Sequence, residues 1–194
     1  MTGLAATMSA MDDGSRPRKM PDWEFRGMAW LFRLVDIFSG PVKKLARLPL
    51  RRGMTVVDYA CGPGRYTELV ARFVGPEGKV YAVDIQPLAL SMVRDRANRA
   101  ALANIETVLV RAYDTGIPGE CADLVLLLDA FHGIGDRLAL LREIHRLIKP
   151  DGLFLMEPGH MDGARARAIV TETGLFRHLK TIKKDMHFSP LPPS

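Results

Sequence analysis

The feature that most constrains the fold is a regular alternation of short apolar runs with longer amphipathic stretches. From Met54 onward the apolar runs have the length of strands, and the stretches between them have the periodicity of helices. Strands that alternate with helices in this way are typical of βαβ units, in which the strands pair in parallel. The sequence therefore predicts an α/β fold with a doubly wound, mostly parallel sheet. The predicted strands cover residues 54–58, 79–84, 105–110, 123–128, 153–157 and 176–184, and the predicted helices about 64–73, 87–101, 136–148 and 164–173.

Both ends of the chain depart from this alternation. Residues 1–20 are predicted to form a disordered tail, and residues 21–50 an N-terminal helical cap. The cap contains four aromatic residues, which form either a lid over a substrate or a packing surface alone: Trp23, Phe25, Trp30 and Phe32. The alternating domain covers 51–188. The proline-rich tail 189–194 is not expected to continue the sheet, because proline cannot donate to a ladder.

Length and composition exclude several classes of protein. A chain of 194 residues suits one domain, and its net charge of +5 comes from scattered basic residues, so nucleic acid is an alternative partner that is not favoured. Cys61 and Cys121 do not form a C-x-x-C pair, which argues against a structural zinc site and favours a reducing compartment. With no apolar run long enough to span a bilayer and no signal peptide, we expect a cytoplasmic protein. The oligomeric state is left open.

The turn after the first predicted strand carries the main chemical signal. It reads Asp58-Tyr59-Ala60-Cys61-Gly62-Pro63-Gly64. Gly62 and Gly64 lack the Cβ atoms that would keep a ligand away from the backbone, and the helix predicted to begin near Gly64 points free N–H groups at the same gap. Because ligands of open α/β sheets bind beyond the carboxyl ends of the strands, the turn is the predicted binding site.

Two acids make this glycine signal more specific. Asp58 ends the first strand, and Asp84 ends the second strand, 20 residues after Gly64. An acid at the second position can accept hydrogen bonds from ribose hydroxyls, whereas Asp58 suits a ligand that carries an ammonium group and a sulfonium rather than a pyrophosphate. A nicotinamide-dependent oxidoreductase predicts G-x-G-x-x-G, but Thr67 occupies the third glycine position and Asp58 would have no role.

The turn resembles the first motif of class I S-adenosylmethionine-dependent methyltransferases, an acid followed by x-G-x-G-x-G, with Ala60 at the first glycine. Three more stretches, 80–85, 123–128 and 141–152, resemble later motifs of the family in the same order. The resemblance covers about residues 52–175 and is closest to the small-molecule branch typified by ubiquinone/menaquinone C-methyltransferases. It implies a Rossmann-like fold, S-adenosyl-L-methionine as cofactor and a small molecule as methyl acceptor.

The resemblance also implies which residues bind the cofactor. Asp84 would hold the ribose, Ile85 would pack on the adenine, and Arg111 and Ala112 would lie beside it. Arg111 departs from the Asp common at its position, which leaves the backbone N–H of Ala112 for the adenine. The first motif would hold the methionine half, with Cys61 as a small filler under the cofactor. The full implied set is Asp58, Ala60, Cys61, Gly62, Gly64, Asp84, Ile85, Arg111, Ala112 and Asp129.

The family usually ends in a β-hairpin whose last strand is antiparallel. After Lys184 only about ten residues remain, many of them prolines. We therefore expect a shortened C-terminal hairpin, with its last strand short or missing.

Two similar pairs follow neighbouring predicted strands, Asp129-x-x-His132 and Glu157-x-x-His160. Methyl transfer is an in-line displacement that needs alignment above all, and a base only if the acceptor must lose a proton. His132 and His160 are the predicted catalytic residues, because histidine titrates near neutral pH. A divalent metal held by all four side chains is an alternative that we do not favour. A second alternative is that the four side chains have no catalytic role and only contact solvent or cap helices.

Other functions on this fold have weaker support. Nucleic-acid methyltransferases that act on exocyclic amines carry an Asn/Asp-Pro-Pro-aromatic motif after the fourth strand, where this chain has Asp129-Ala130-Phe131-His132. An RNA or protein methyltransferase therefore remains an alternative. A cofactor-binding protein without turnover is another, motivated by the short C-terminus.

Overall fold

The computed structural model describes residues 19, 21–27, 29–30 and 47–192. The predicted tail, except for Lys19, lies outside the described residues. So does Phe32 of the predicted cap. Residues 22–27 and 29–30 of the predicted cap are helical, whereas residues 47–50 at its end form a turn and a bend rather than a helix. Within the described residues, no helix combines the length and the apolar character that crossing a membrane would require.

The described residues form one seven-stranded sheet with the strand order β3-β2-β1-β4-β5-β7-β6. The first five strands pair in parallel, and β7 pairs antiparallel with both β5 and β6. This arrangement confirms the predicted doubly wound, mostly parallel sheet. The strands are β1 (Thr55–Tyr59), β2 (Lys79–Asp84), β3 (Ile105–Leu109), β4 (Ala122–Leu127), β5 (Ile148–Met156), β6 (Phe176–Ile182) and β7 (Asp185–Pro190).

Four α-helices connect these strands: α1 (Thr67–Val74), α2 (Pro87–Arg99), α3 (Arg137–Leu147) and α4 (Gly163–Glu172). A short 3₁₀-helix, Phe131–Gly133, follows β4. The prediction that α1 begins near Gly64 is wrong, because the chain forms turns as far as Tyr66. Ala60, Gly62 and Gly64 have φ angles of 57°, 54° and 76°, which a right-handed helix cannot contain.

The central strands are buried on both faces, which explains why their sequences are apolar runs rather than alternating patterns. On one face, Val57 and Val125 pack into a core that also contains residues of α3 and α4. On the other face, Val56 and Leu124 pack into a second core with residues of α1. Neighbouring residues of one strand thus serve opposite layers, and the sheet holds the strand ends rigidly in place.

The C-terminal hairpin corrects one expectation. The last strand is present and has six residues, and it extends into the proline-rich segment, where Ser189 pairs with Arg177 and Pro190 with Phe176. The expectation that the sheet cannot continue past residue 188 is therefore wrong. Proline is compatible with a strand where no ladder donor is required, and Pro190 is the final residue of β7.

Candidate functional site

The glycine turn (residues 58–64) connects β1 to α1 at the carboxyl edge of the sheet. The Cys61 N–H donates to the Val83 carbonyl at 3.0 Å, which fixes the turn to β2. A Cβ atom added to Gly62 would have no heavy atom within 4 Å, whereas one added to Gly64 would lie 2.8 Å from Val93 Cγ2 in α2. The two glycines therefore have different roles: Gly62 leaves the surface of the turn open, and Gly64 allows α2 to pack against it.

Asp84 joins the glycine turn to the tip of β2. Its Oδ2 accepts a hydrogen bond from the Gly62 N–H at 2.8 Å, and its Oδ1 accepts one from the Gln86 N–H, also at 2.8 Å. The side chain is buried, and burial raises its pKa despite these donors. The Ile85 backbone is a third donor to this carboxylate. A carboxylate has about four lone-pair sites, so Asp84 can still accept a hydrogen bond from a ligand at the open face of Gly62.

Asp58 lies at the tip of β1 and is only 3% exposed. The Thr67 hydroxyl donates to its Oδ2 at 2.6 Å. Burial raises the pKa of Asp58 to about 7, the Thr67 hydrogen bond opposes this rise, and the nearby Asp84 adds to it. Ionised Asp58 is poorly stabilised by its buried surroundings, so a cationic group of a ligand would interact with it strongly.

Thr67 is a functional candidate that the sequence analysis missed. It is the first residue of α1 and is fully buried. From the sequence, Thr67 was considered only because it replaces the third glycine of the dinucleotide-binding motif G-x-G-x-x-G. A hydroxyl residue at the first helical position after a glycine turn is the signal that could have indicated a partner for Asp58.

The residues predicted to contact the adenine lie around the same edge. Ile85 is half-buried and packs against the core, while Arg111 and Ala112 are exposed just after β3. Cys61 is buried in the glycine turn, and burial raises the pKa of its thiol well above the ordinary value. A thiol with a raised pKa is a poor nucleophile, in agreement with a packing role.

The structure brings three of the four predicted polar side chains beyond β4 and β5 close together. The exposed rings of His132 and His160 lie edge to face, with their centroids 5.0 Å apart. A Cβ atom added to Gly159 would overlap His132 Nδ1 and lie 2.9 Å from Asp129 Oδ1, so the two connecting segments meet at this glycine. Among the described residues no group of three or more His, Cys, Asp or Glu side chains is arranged to hold a metal ion.

The described start of the helical cap contacts the segment that follows β2. The Gln86 side-chain amide donates to Asp22 Oδ1 at 2.7 Å, which ties the start of the cap to the segment after β2. Phe25 is 5% exposed, whereas Trp23 and Trp30 are 77% and 64% exposed. The three aromatic residues of the cap that the structure describes therefore divide into one that is buried and two that are exposed. Whether the cap acts as a lid stays a prediction.

The strand order, the glycine turn and the two acids together define a Rossmann-like methyltransferase fold. A family described as a methyltransferase domain matches residues 50–187, which is more than half of the chain. The chain belongs to this family, within the class I S-adenosylmethionine-dependent methyltransferases, and S-adenosylmethionine is the cofactor of that class. The predicted family and fold are thereby confirmed.

Individual relatives agree with this assignment. The chain is 30% identical over 132 residues to the demethylmenaquinone methyltransferase of Listeria welshimeri, covering 68% of this chain and 55% of that protein. The chain spans about half the length of the curated relatives it matches. A solved SAM-dependent methyltransferase from Aquifex aeolicus shares the fold with a TM-score of 0.77 and 22% identity, covering 89% of this chain and 100% of that one.

A third comparison concerns a structure solved with a bound ligand. Coclaurine N-methyltransferase bound to N-methylheliamine and SAH is 28% identical with a TM-score of 0.51, and the match covers 57% of this chain and 32% of that one. The residues present here fit S-adenosylmethionine, because the surface at Gly62 is open and two buried carboxylates lie beside it.

Proposed function

We propose that this protein transfers a methyl group from S-adenosyl-L-methionine to a small aromatic acceptor of the quinol class. The observation that carries the proposal is the pair of buried carboxylates, Asp58 and Asp84, at neighbouring strand tips beside an open glycine turn. The acceptor class is supported by the name of the Listeria relative, a demethylmenaquinone methyltransferase. A cytoplasmic location stays a prediction.

The glycine turn and the residues around it have separate roles in this proposal. Asp58 attracts the ammonium group of the cofactor, and Asp84 accepts hydrogen bonds from the ribose hydroxyls. The open face of Gly62 lets the cofactor lie against the backbone, while Ile85 and the Arg111–Ala112 pair border the adenine. The cofactor supplies an activated methyl group on a sulfonium, so these residues chiefly bind and align it.

The histidine pair is the proposed acceptor side of the site. A quinol carries aromatic hydroxyl groups, and removal of a hydroxyl proton increases the electron density of the ring. A ring carbon would then take the methyl group as the bond between sulfur and methyl breaks. The same carbon would lose its hydrogen as a proton, which restores the aromatic ring. His132 and His160 are exposed and in contact with each other, which allows one ring to accept the hydroxyl proton. Asp129, which approaches the same glycine as His132, belongs to this part of the site.

The alternatives are weaker. The complete β7 removes the observation that motivated a cofactor-binding protein without turnover. No feature of the described residues favours an RNA or a protein substrate over a small molecule.

The binding half of the proposal is tested by calorimetry with S-adenosylhomocysteine on the wild type, Asp58→Asn and Asp84→Asn. Loss of a hydrogen bond to a charged group costs about 1.5–3 kcal/mol, so each variant should bind about 10- to 100-fold more weakly. Asp123→Asn is the matched control, because it removes a carboxylate from the amino end of β4 at the opposite edge of the sheet. Unchanged affinity in both site variants would contradict the proposal.

The transfer half is tested with a reduced 1,4-naphthoquinone as acceptor, by mass spectrometry of the methylated product and of S-adenosylhomocysteine. His132→Asn and His160→Asn should lower kcat and leave the affinity for S-adenosylhomocysteine unchanged. If both histidine variants formed the methylated product as fast as the wild type, neither histidine would be the proposed base. Binding of S-adenosylhomocysteine without any methylated quinol would refute the proposed acceptor class.

A further inference from the structure

Tyr113 makes a buried contact with the tip of β1. The Tyr59 hydroxyl donates to the Tyr113 carbonyl at 2.8 Å, and both side chains are buried. Burial, followed by the nearby Glu143, raises the pKa of Tyr59, so its phenol keeps the proton that it donates. Tyr113 directly follows Arg111 and Ala112, so this hydrogen bond holds the segment that we place beside the adenine (residues 110–113, the adenine segment).

The same tyrosine also contacts the other half of the site. The Tyr113 hydroxyl accepts a hydrogen bond from the Asp136 backbone N–H at 3.0 Å. Asp136 ends the connection between β4 and α3 (residues 128–136, the acceptor segment), which contains Asp129 and His132. Asp136 also caps α3, because its side chain accepts from the Ala139 N–H at 2.9 Å. Tyr113 thus ties the acceptor segment at the point where it joins a rigid helix.

Different parts of Tyr113 contact different elements of the site. Its carbonyl is held by β1, its main chain lies in the adenine segment, and its hydroxyl holds the acceptor segment. A residue that only filled core space would not need partners from different strand ends for its carbonyl and its hydroxyl. We propose that Tyr113 is a positioning residue that holds the adenosine side and the acceptor side of the site in one fixed arrangement. This inference rests on the proposed function, because it assigns the two segments to cofactor and acceptor.

Two hydroxyl deletions separate the two contacts, and both keep the aromatic ring in the core. Tyr113→Phe removes the acceptor of the Asp136 N–H and leaves the Tyr113 carbonyl with its donor. Amide hydrogen exchange of the acceptor segment (residues 128–136) should therefore become faster, while the affinity for S-adenosylhomocysteine stays unchanged. With a reduced 1,4-naphthoquinone as acceptor, kcat should fall without a rise in the KM for the cofactor.

Tyr59→Phe should give the opposite pattern. Without its donor, the Tyr113 carbonyl no longer fixes the adenine segment, so amide hydrogen exchange of residues 110–113 should become faster. The dissociation constant of S-adenosylhomocysteine should rise about five-fold, the effect of one lost hydrogen bond. Tyr81→Phe is the matched control: it removes the hydroxyl of another buried tyrosine of the sheet, one that interacts with Lys79 at the amino end of β2.

The inference is overturned if Tyr59→Phe and Tyr113→Phe lower the melting temperature but leave exchange in both segments and the affinity for S-adenosylhomocysteine as in Tyr81→Phe. It is also overturned if both variants give the same pattern, because the tyrosine would then have a general structural role. Failure of the proposed function is a different result: the wild type would not bind S-adenosylhomocysteine. The exchange measurements would still decide whether Tyr113 links the two segments.

Discussion

Replacing Asp58 with asparagine should make the ligand-free protein more stable at alkaline pH. Burial raises the pKa of Asp58 from 3.8 to about 7 in the folded protein. Between these values the folded state keeps a proton that the unfolded state has lost, so the contribution of Asp58 to the free energy of unfolding falls as the pH rises from about 4 to about 7. At about 1.4 kcal/mol per pKa unit, the total cost at pH 8 is at most about 4 kcal/mol.

Asparagine isolates this electrostatic cost. It has nearly the shape of aspartate, and its side-chain oxygen can still accept the Thr67 hydroxyl, but it carries no charge. The free energy of unfolding of Asp58→Asn should therefore exceed that of the wild type at pH 8, by an amount that disappears toward pH 4. Urea unfolding at pH 5.5, 7 and 8.5, without ligand, measures the difference.

Asp123→Asn gives the control with the opposite sign. Although partial burial opposes it, hydrogen bonds from Lys149 Nζ at 2.6 Å and the Thr55 N–H at 2.7 Å lower the pKa of Asp123. A carboxylate with a lowered pKa stabilises the fold above its unfolded pKa and loses that contribution as the pH falls through the folded pKa. Asp123→Asn should therefore destabilise the protein at pH 7.

One result would refute the reasoning about Asp58. If Asp58→Asn were less stable than the wild type at pH 8.5, and the wild type lost no stability between pH 5.5 and 8.5 relative to the variant, the Asp58 charge would carry no cost in the fold. The two carboxylates would then be ordinary polar residues of the sheet edge.

Three further predictions follow from the same geometry. Binding of S-adenosylhomocysteine at pH 6.5 should release about three quarters of a proton, because Asp58 with a pKa of about 7 is protonated to that extent and the ammonium group favours its ionised form. This release from Asp58 should vanish at pH 8.5, and calorimetry in two buffers of different ionisation enthalpy measures it. Gly159→Ala should lower kcat with a quinol and leave the affinity for S-adenosylhomocysteine unchanged, because its φ is +67° and the new methyl would overlap His132. Gly64→Ala should lower the free energy of unfolding by about 1–3 kcal/mol in urea melts, because its φ is +76° and the new Cβ would lie 2.8 Å from Val93 Cγ2.

Local sequence patterns predicted the strands and helices whose formation depends on residues close together in the sequence. The apolar run at 123–128 predicted a strand, and the structure has one at Ala122–Leu127. The placement of Asp58 and Asp84 on one edge followed because parallel strands have their carboxyl ends together. The predicted start of α1 near Gly64 was wrong because residues of the glycine turn have positive φ angles, which the spacing of apolar residues does not indicate.

The contacts that the sequence could not predict join residues far apart in the chain. Tyr59 and Tyr113 are 54 positions apart, and Pro190 pairs with Phe176 across a hairpin. A proline in the sequence indicates only that a backbone donor is missing. Whether that donor is needed depends on which strand lies alongside, and β7 shows that at Pro190 it is not.

The cost of Asp58 and the proposed chemistry are aspects of the same arrangement. In the described part of the chain, Asp58 has its hydrogen bond from the neutral Thr67 hydroxyl, and Asp84 adds negative charge nearby. A cation that enters the site stabilises ionised Asp58 and lowers its pKa. The electrostatic cost of the buried charge, which destabilises the free protein, is then relieved, and this relief favours binding. A second acid close to the first would be a poor choice for stability alone. It is a good choice for a site that must distinguish a cationic aminoacyl nucleoside from the neutral and anionic nucleosides that also fit an open glycine turn.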